Sequence, residues 1–289
     1  MYHSVPFSWL MLRNRLARST CIHSPVVSSV LAITNQKGGV GKTTTTHTLG
    51  EAMAESGVRV LLVDLDPQAC LTYAAGLDPE NLETSIHDVF TGRCGAEEAL
   101  LTAGRCWMLP ASIDLAGSEI ALATKVGREH ALARALAPIR SEFDVVLVDC
   151  PPSLGILTIN GLTAADAVLI PLQCETLSHR GVGQLLETIA DVRAYTQPDL
   201  EVLGAVATMF DSRSRHPREI AADVASRYDV RVFEPAVPRS IRFAEAPASG
   251  ASILEHAPNS RGALAYRELA AQILDAIGLT PKTEGSPPT

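Results

Sequence analysis

The sequence is short of lysine: of 24 basic residues in 289, only Lys37, Lys42, Lys125 and Lys282 are lysines, and two of these fall inside one short glycine-rich segment. It has no C-x-x-C pair. Its six cysteines (Cys21, Cys70, Cys94, Cys106, Cys150, Cys174) are scattered through a chain too long to depend on a disulfide framework, so a reducing cytoplasm is the expected compartment. No run approaches the roughly 18 uninterrupted apolar residues of a membrane span. Val60-Leu61-Leu62-Val63 and Val145-Val146-Leu147-Val148 are short and end in Asp, and a soluble protein with no membrane contact is expected. The net charge of −8 excludes a protein that coats nucleic acid over its whole surface and confines any DNA contact to a local patch. No acidic residue precedes Glu51, and Arg13, Arg15 and Arg18 follow the apolar stretch from Phe7 to Leu12, the reverse of a secretory signal. Residues 1–28 are therefore expected to form a disordered extension, with Met11 as an alternative start and an organellar transit peptide left open.

What the sequence does have is 46% hydrophobic residues in a regular alternation from Ser29 onward. Val30 to Ile33, Val58 to Val63, Val145 to Val148, Ala167 to Pro171 and Val202 to Thr208 read as strands. These runs are apolar without alternation, as parallel strands covered on both faces require. Helical periodicity falls at 43–55, 114–124, 128–141, 155–164, 176–195, 215–227 and 260–277. The expectation is one α/β domain over residues 29–278, a doubly wound, mostly parallel twisted sheet with helices on both faces, followed by a disordered tail at 279–289.

The first strand runs into Asn35-Gln36-Lys37-Gly38-Gly39-Val40-Gly41-Lys42-Thr43-Thr44 and then a helix. Glycines let backbone N–H groups approach phosphate oxygens, and the helix N-terminus adds a partial positive charge. Lys42 would reach the β and γ phosphates and Thr43 would ligate Mg²⁺. Gln36 stands where G-x-x-x-x-G-K-[ST] has its first glycine, and Lys37 is the unusual extra cation. Asp66 and Asp149 each lie just beyond an apolar strand, at the carboxyl edge where open α/β sheets bind ligands. Phosphoryl transfer to water needs a metal, a cation for developing charge and a group that orients the nucleophile, and Asp149, Lys42 with Lys37, and Asp66 supply them.

Together these segments resemble the deviant Walker A ATPases of the ParA/MinD group, whose loop reads K-G-G-x-G-K-T. The resemblance runs from Val30 to Ile277. Val63-Asp64-Leu65-Asp66-Pro67-Gln68 is similar to the family's second motif, and Asp149-Cys150-Pro151-Pro152-Ser153-Leu154-Gly155 to its Walker B and switch II segment. Pro238-Arg239-Ser240-Ile241-Arg242-Phe243-Ala244-Glu245-Ala246-Pro247, with Asn259-Ser260-Arg261-Gly262-Ala263, resembles the carboxy-terminal stretch of ParA/Soj partition proteins. The resemblance implies a P-loop ATPase that is slow and partner-stimulated. ATP would be held by Lys37, Gly38, Gly39, Val40, Gly41, Lys42, Thr43 and Thr44 and by the Pro238 and Ser240 loop. Mg²⁺ would be held by Thr43 and, through water, by Asp149. Asp66 would hold the attacking water, and Lys37 would cross an ATP-dependent homodimer to the partner's phosphates. Two departures stand out: Ser240 is commonly Asn in the family, and Ala69-Cys70 follows Gln68 where Gly-Asn is usual.

Within that group, the polar end of the chain from Gly278 to Thr289 lacks the basic amphipathic helix of the membrane-binding branch, and its cysteines lack the glycine-rich setting of the iron–sulfur branch. The last tyrosine is Tyr266, which excludes the tyrosine-kinase tail. DNA partition remains: a dimer on non-specific double-stranded DNA, cytoplasmic and nucleoid-associated, reset by a ParB/Spo0J-like protein. The expected DNA surface comprises Arg213, Arg215, Arg218, Arg239 and Arg242. Positioning of a protein cargo by the same cycle, and an ATP-dependent ligase of the dethiobiotin synthetase type, are the alternatives.

Overall fold

A computed structural model of the chain describes residues 28–175, 178–211, 213 and 216–279, without the side chains of Ser178, His179 and His216. The expected extension before Ser28, the tail after Leu279 and Arg215 lie outside the described residues.

Eight strands form one sheet in the order β3-β4-β2-β5-β1-β6-β7-β8. They are β1 (Ser29–Ile33), β2 (Val60–Asp64), β3 (Leu101–Ala103), β4 (Cys106–Leu109), β5 (Val145–Asp149), β6 (Ala167–Gln173), β7 (Glu201–Thr208) and β8 (Val232–Phe233). Every pairing is parallel except β3 with β4. The central strands are apolar throughout because both faces are covered. Val30, Ala32, Leu61, Val63, Val146 and Val148 enter one core. Their neighbours Leu31, Ile33, Val60, Leu62, Val145 and Leu147 enter the other.

The short helix α2 (Cys70–Ala74) places Leu71 in the second core. The first core is closed by α3 (Ile86–Thr91), α4 (Leu115–Ala123), α5 (Ala131–Leu136), α6 (Ile156–Ala164), α7 (Ser178–Tyr195) and α8 (His216–Tyr228). The second is closed by α1 (Lys42–Glu55), α10 (Ile253–His256) and α11 (Arg261–Ala276), with α9 (Arg242–Glu245) at its edge. Helix α1 leaves β1 over one face and α6 leaves β5 over the other, which places a topological switch point at the carboxyl ends of these two adjacent strands. Tyr266 of α11 is fully buried and its hydroxyl lies 2.9 Å from Thr45 Oγ1, tying the helix after the phosphate loop to the carboxy-terminal helix.

The structure corrects several element boundaries. Residues 128–141 are not one helix: the α-helical part is Ala131–Leu136, flanked by 3₁₀ turns at Arg128–His130 and Arg140–Glu142. Pro138 explains the break, since it has no N–H to donate to the preceding turn, although Ala137 itself keeps right-handed helical angles of φ −49° and ψ −44°. The strand expected from Val58 begins at Val60, and the Arg59 N–H donates to the Asp144 carboxylate at 2.8 Å in place of a strand carbonyl. The β3–β4 hairpin, β8 and the helices of four to six residues carry too few residues to show a period.

Candidate nucleotide site

Between β1 and α1 the chain must reverse tightly, and glycine makes this possible. Gly39 and Gly41 have φ of 73° and 86°, a left-handed backbone that strains any side chain. A Cβ built on Gly38 or Gly39 would meet nothing within 4 Å, so these backbone groups face open space that a side chain would fill. The loop is anchored from behind. Asn35 Nδ2 donates to the Pro171 carbonyl at 2.8 Å, and Asn35 Oδ1 accepts the Lys37 N–H at 3.0 Å. Thr208 Oγ1 at the end of β7 donates to the Val40 carbonyl at 2.7 Å, and the Val40 side chain is buried. Val40 therefore faces the core and offers the site only its backbone.

Lys42 is 7% exposed, and its ammonium donates to the Lys37 carbonyl at 3.3 Å. Burial lowers its pKa, while the charges of Asp149 and Asp66 oppose that shift. Thr43 Oγ1 donates to Asp149 Oδ2 at 2.7 Å and Thr46 Oγ1 to Oδ1 at 3.3 Å. Asp149 is directly opposite Asp64 in the β2–β5 register, and both carboxylates are almost wholly buried. Burial pushes both upward, and for Asp149 the charge of Asp64 adds to it. Two buried carboxylates and one ammonium leave the site short of positive charge, and hard oxygen donors beside a threonine hydroxyl suit a small divalent cation.

Asp64 was not singled out in the sequence, although it stands in the same D-x-D. It accepts from the Asp66 N–H at 3.0 Å and from the Thr72 N–H and hydroxyl at 2.9 and 2.8 Å, fixing the path of the chain into α2. Asp66 is half-buried and accepts the Gln68 N–H at 2.9 Å. Ala69 follows with φ 51°, a left-handed conformation that glycine adopts more easily than alanine.

Gly38, Gly39, Gly41, Lys42, Thr43, Thr44 and Asp66 line one cavity of about 990 Å³. Gly41 and Thr44 also line an adjoining cavity of about 400 Å³ together with Pro238 and Ser240, so the phosphate loop and the carboxy-terminal loop share a wall. Lys37 lines neither. Its Nζ extends to Glu175 Oε2 at 2.6 Å. A third cleft of about 960 Å³ brings Arg213 and Arg239 together with Arg261, a residue that the sequence reading quoted but did not assign to DNA. Arg218 and Arg242 are exposed on α8 and α9 outside that lining. Two of the arginines carry local carboxylate partners: Arg213 pairs with Asp211 at 3.1 Å and Arg242 with Glu245 at 3.0 Å.

Residues 28–202 match the family described as an AAA domain. Over 249 residues the chain is 40% identical to the sporulation initiation inhibitor protein Soj of Bacillus subtilis, covering 86% of this chain and 98% of Soj. Over 249 residues it is 41% identical to the chromosome partitioning protein ParA of Caulobacter vibrioides, covering 85% and 93%. The chain belongs to the ParA/Soj family of ATPases.

Among solved structures, this ParA/Soj-type chain is similar to one described as cobyrinic acid a,c-diamide synthase from Mycobacterium smegmatis with bound ATP analog and magnesium. That match has 50% identity and TM-score 0.79, and covers 89% of this chain and all of that one. The open Gly38–Gly39 backbone, the buried Lys42 and the Thr43–Asp149 pair fit the phosphates of ATP together with Mg²⁺. No helix among the described residues is long and apolar enough to cross a membrane.

Proposed function

We propose that this protein is a DNA-partition ATPase: ATP drives a sandwich dimer that holds non-specific double-stranded DNA, and hydrolysis stimulated by a ParB-like partner releases it. The observation that carries this reading is the division of labour between the two loop lysines. Lys42 is buried in its own site, where the charges of Asp149 and Asp66 act on it, whereas the Lys37 ammonium lies outside that cavity's lining, where a second subunit can present its phosphates. The names of the Soj and ParA relatives support it.

In the proposed cycle the backbone N–H groups of Gly38, Gly39 and Gly41 bind phosphate oxygens, and Lys42 neutralises charge that develops on them. Thr43 and Asp149 would hold Mg²⁺, which when bound neutralises the β and γ oxygens. Asp66 orients the attacking water, and its mobility is limited by the Asp64 clamp on its backbone. The 400 Å³ cavity beside Pro238 and Ser240 takes the base. Arg213, Arg239 and Arg261 meet DNA phosphates from the third cleft, a contact that carries no sequence information. A cytoplasmic, nucleoid-associated location follows from this role.

The name of the Mycobacterium smegmatis structure favours a second reading, ATP-dependent amidation of a carboxylate, a ligase chemistry. The described cysteines favour partition instead. A glutamine-hydrolysing step uses a reactive thiolate. Here burial pushes Cys70, Cys94, Cys106, Cys150 and Cys174 upward, Cys94 and Cys174 to about 11. The test is retention of unrelated DNA duplexes by the purified protein with ATP, ADP or no nucleotide, beside ATP turnover with a corrin carboxylate and glutamine. ATP-dependent retention of every duplex supports partition. Turnover that needs the corrin acid, with no DNA retention, overturns it.

A further inference from the structure

In the proposed cycle Lys37 must reach phosphates bound by another subunit, yet in this structure its ammonium is already engaged. Lys37 Nζ donates to Glu175 Oε2 at 2.6 Å. The other carboxylate oxygen, Oε1, accepts from Gln173 Nε2 at 2.6 Å, and the Glu175 N–H donates to the Gln173 carbonyl at 2.8 Å. The carboxylate is thus held from both sides at the carboxyl end of β6. The backbone of Lys37 is tied to the same strand end through Asn35, which bridges the Lys37 N–H and the Pro171 carbonyl.

We infer that Glu175 is a positioning residue that latches Lys37 in cis and sets the threshold for ATP-driven dimerisation. The inference rests on the proposed dimer. One ammonium cannot satisfy the Glu175 carboxylate and a partner's phosphate oxygens at full strength, so dimer formation must break or loosen the cis pair. The side chains of Lys37 and Glu175 are 36% and 53% exposed, and a pair so open to water is weak enough to be broken by a more highly charged competitor. Gln173 keeps the carboxylate in place, so the latch re-forms when the phosphates leave. Glu175 also lines the arginine cleft, so the carboxylate that holds the loop lysine is part of the wall of the proposed DNA surface.

An exposed pair of this kind contributes a factor of about 1.5 to 5 in an equilibrium constant. Since the dimer breaks two such pairs, removing both should tighten it by about twofold to twenty-five-fold. The experiment is sedimentation of the full chain with a non-hydrolysable ATP analogue, comparing wild type, Glu175→Gln, Glu175→Asp, Lys37→Ala and the Lys37→Ala/Glu175→Gln double variant at low and high salt. Glu175→Gln should lower the dimer dissociation constant within that range, and the gain should shrink as salt screens the pair. Glu175→Asp, which retains the charge, should stay closer to wild type. In the Lys37→Ala background the second substitution should change nothing, because the pair is already gone.

A Glu175→Gln dimer as weak as or weaker than wild type overturns the latch while leaving the dimer reading intact. So does an equal gain in the Lys37→Ala background. A wild-type protein that stays monomeric with the analogue overturns the dimer and the latch together.

Discussion

Acid should destabilise this protein through one buried imidazole. His47 lies on α1 one turn beyond Thr43, 6% exposed, and burial pushes its pKa from 6.5 down to about 4. The unfolded chain therefore binds the proton more tightly than the folded one, and stability is lost as the pH falls through the window from 6.5 to 4. The full depression corresponds to about 3 kcal/mol, of which about 2 kcal/mol has gone by roughly pH 5. Replacing His47 with Gln removes the titrating group and keeps a neutral polar side chain of similar size. Urea unfolding of both nucleotide-free proteins near pH 7.5 and near pH 5 isolates the effect, because every other titrating group is common to the pair. Wild type should lose about 2 kcal/mol more than His47→Gln between the two conditions. Equal losses would refute the burial argument for this helix.

Removing the Tyr266 hydroxyl with Tyr266→Phe leaves Thr45 Oγ1 buried without its partner and should cost about 1 to 2 kcal/mol by denaturation, most of it recovered in the Tyr266→Phe/Thr45→Val double variant. Asp66→Ala should bind ATP and dimerise while turnover falls by about a hundredfold or more, and a loss of ATP binding equal to that of Lys42→Ala would remove its proposed role. Lys37→Ala should bind ATP as a monomer and fail to dimerise on sedimentation. Arg261→Ala should weaken DNA retention by the same factor for every sequence while leaving ATP-driven dimerisation in place, and unchanged retention would exclude the cleft.

The central sheet and the loop were legible because each rests on local rules. Continuous apolar runs at Val60 and Val145 mark strands buried on both faces, and Gly39 and Gly41 hold a left-handed backbone that glycine adopts easily. The edge strands were not legible. Leu101–Ala103 and Val232–Phe233 are too short to carry a period, and they are held in place by their neighbours. The carboxylate pair is a register effect: Asp64 and Asp149 are far apart in sequence and meet only because β2 lies beside β5. The same holds for Lys37 with Glu175, and for Arg213, Arg239 and Arg261, which come from three segments to one cleft. Sequence spacing marked the chemistry of single residues, whereas their pairing depended on strand order.

The most direct test of the account is the salt dependence of DNA affinity for the wild-type chain, measured with a non-hydrolysable ATP analogue and with ADP on two unrelated duplexes. Three phosphate contacts per protomer, from Arg213, Arg239 and Arg261, give an expected slope of log affinity against log salt of about −3 for the monomer and about −5 for the dimer. The steeper slope and the tighter binding are expected with the ATP analogue, identical for both duplexes. Equal slopes with the two nucleotides, or a preference for one duplex, would contradict that expectation.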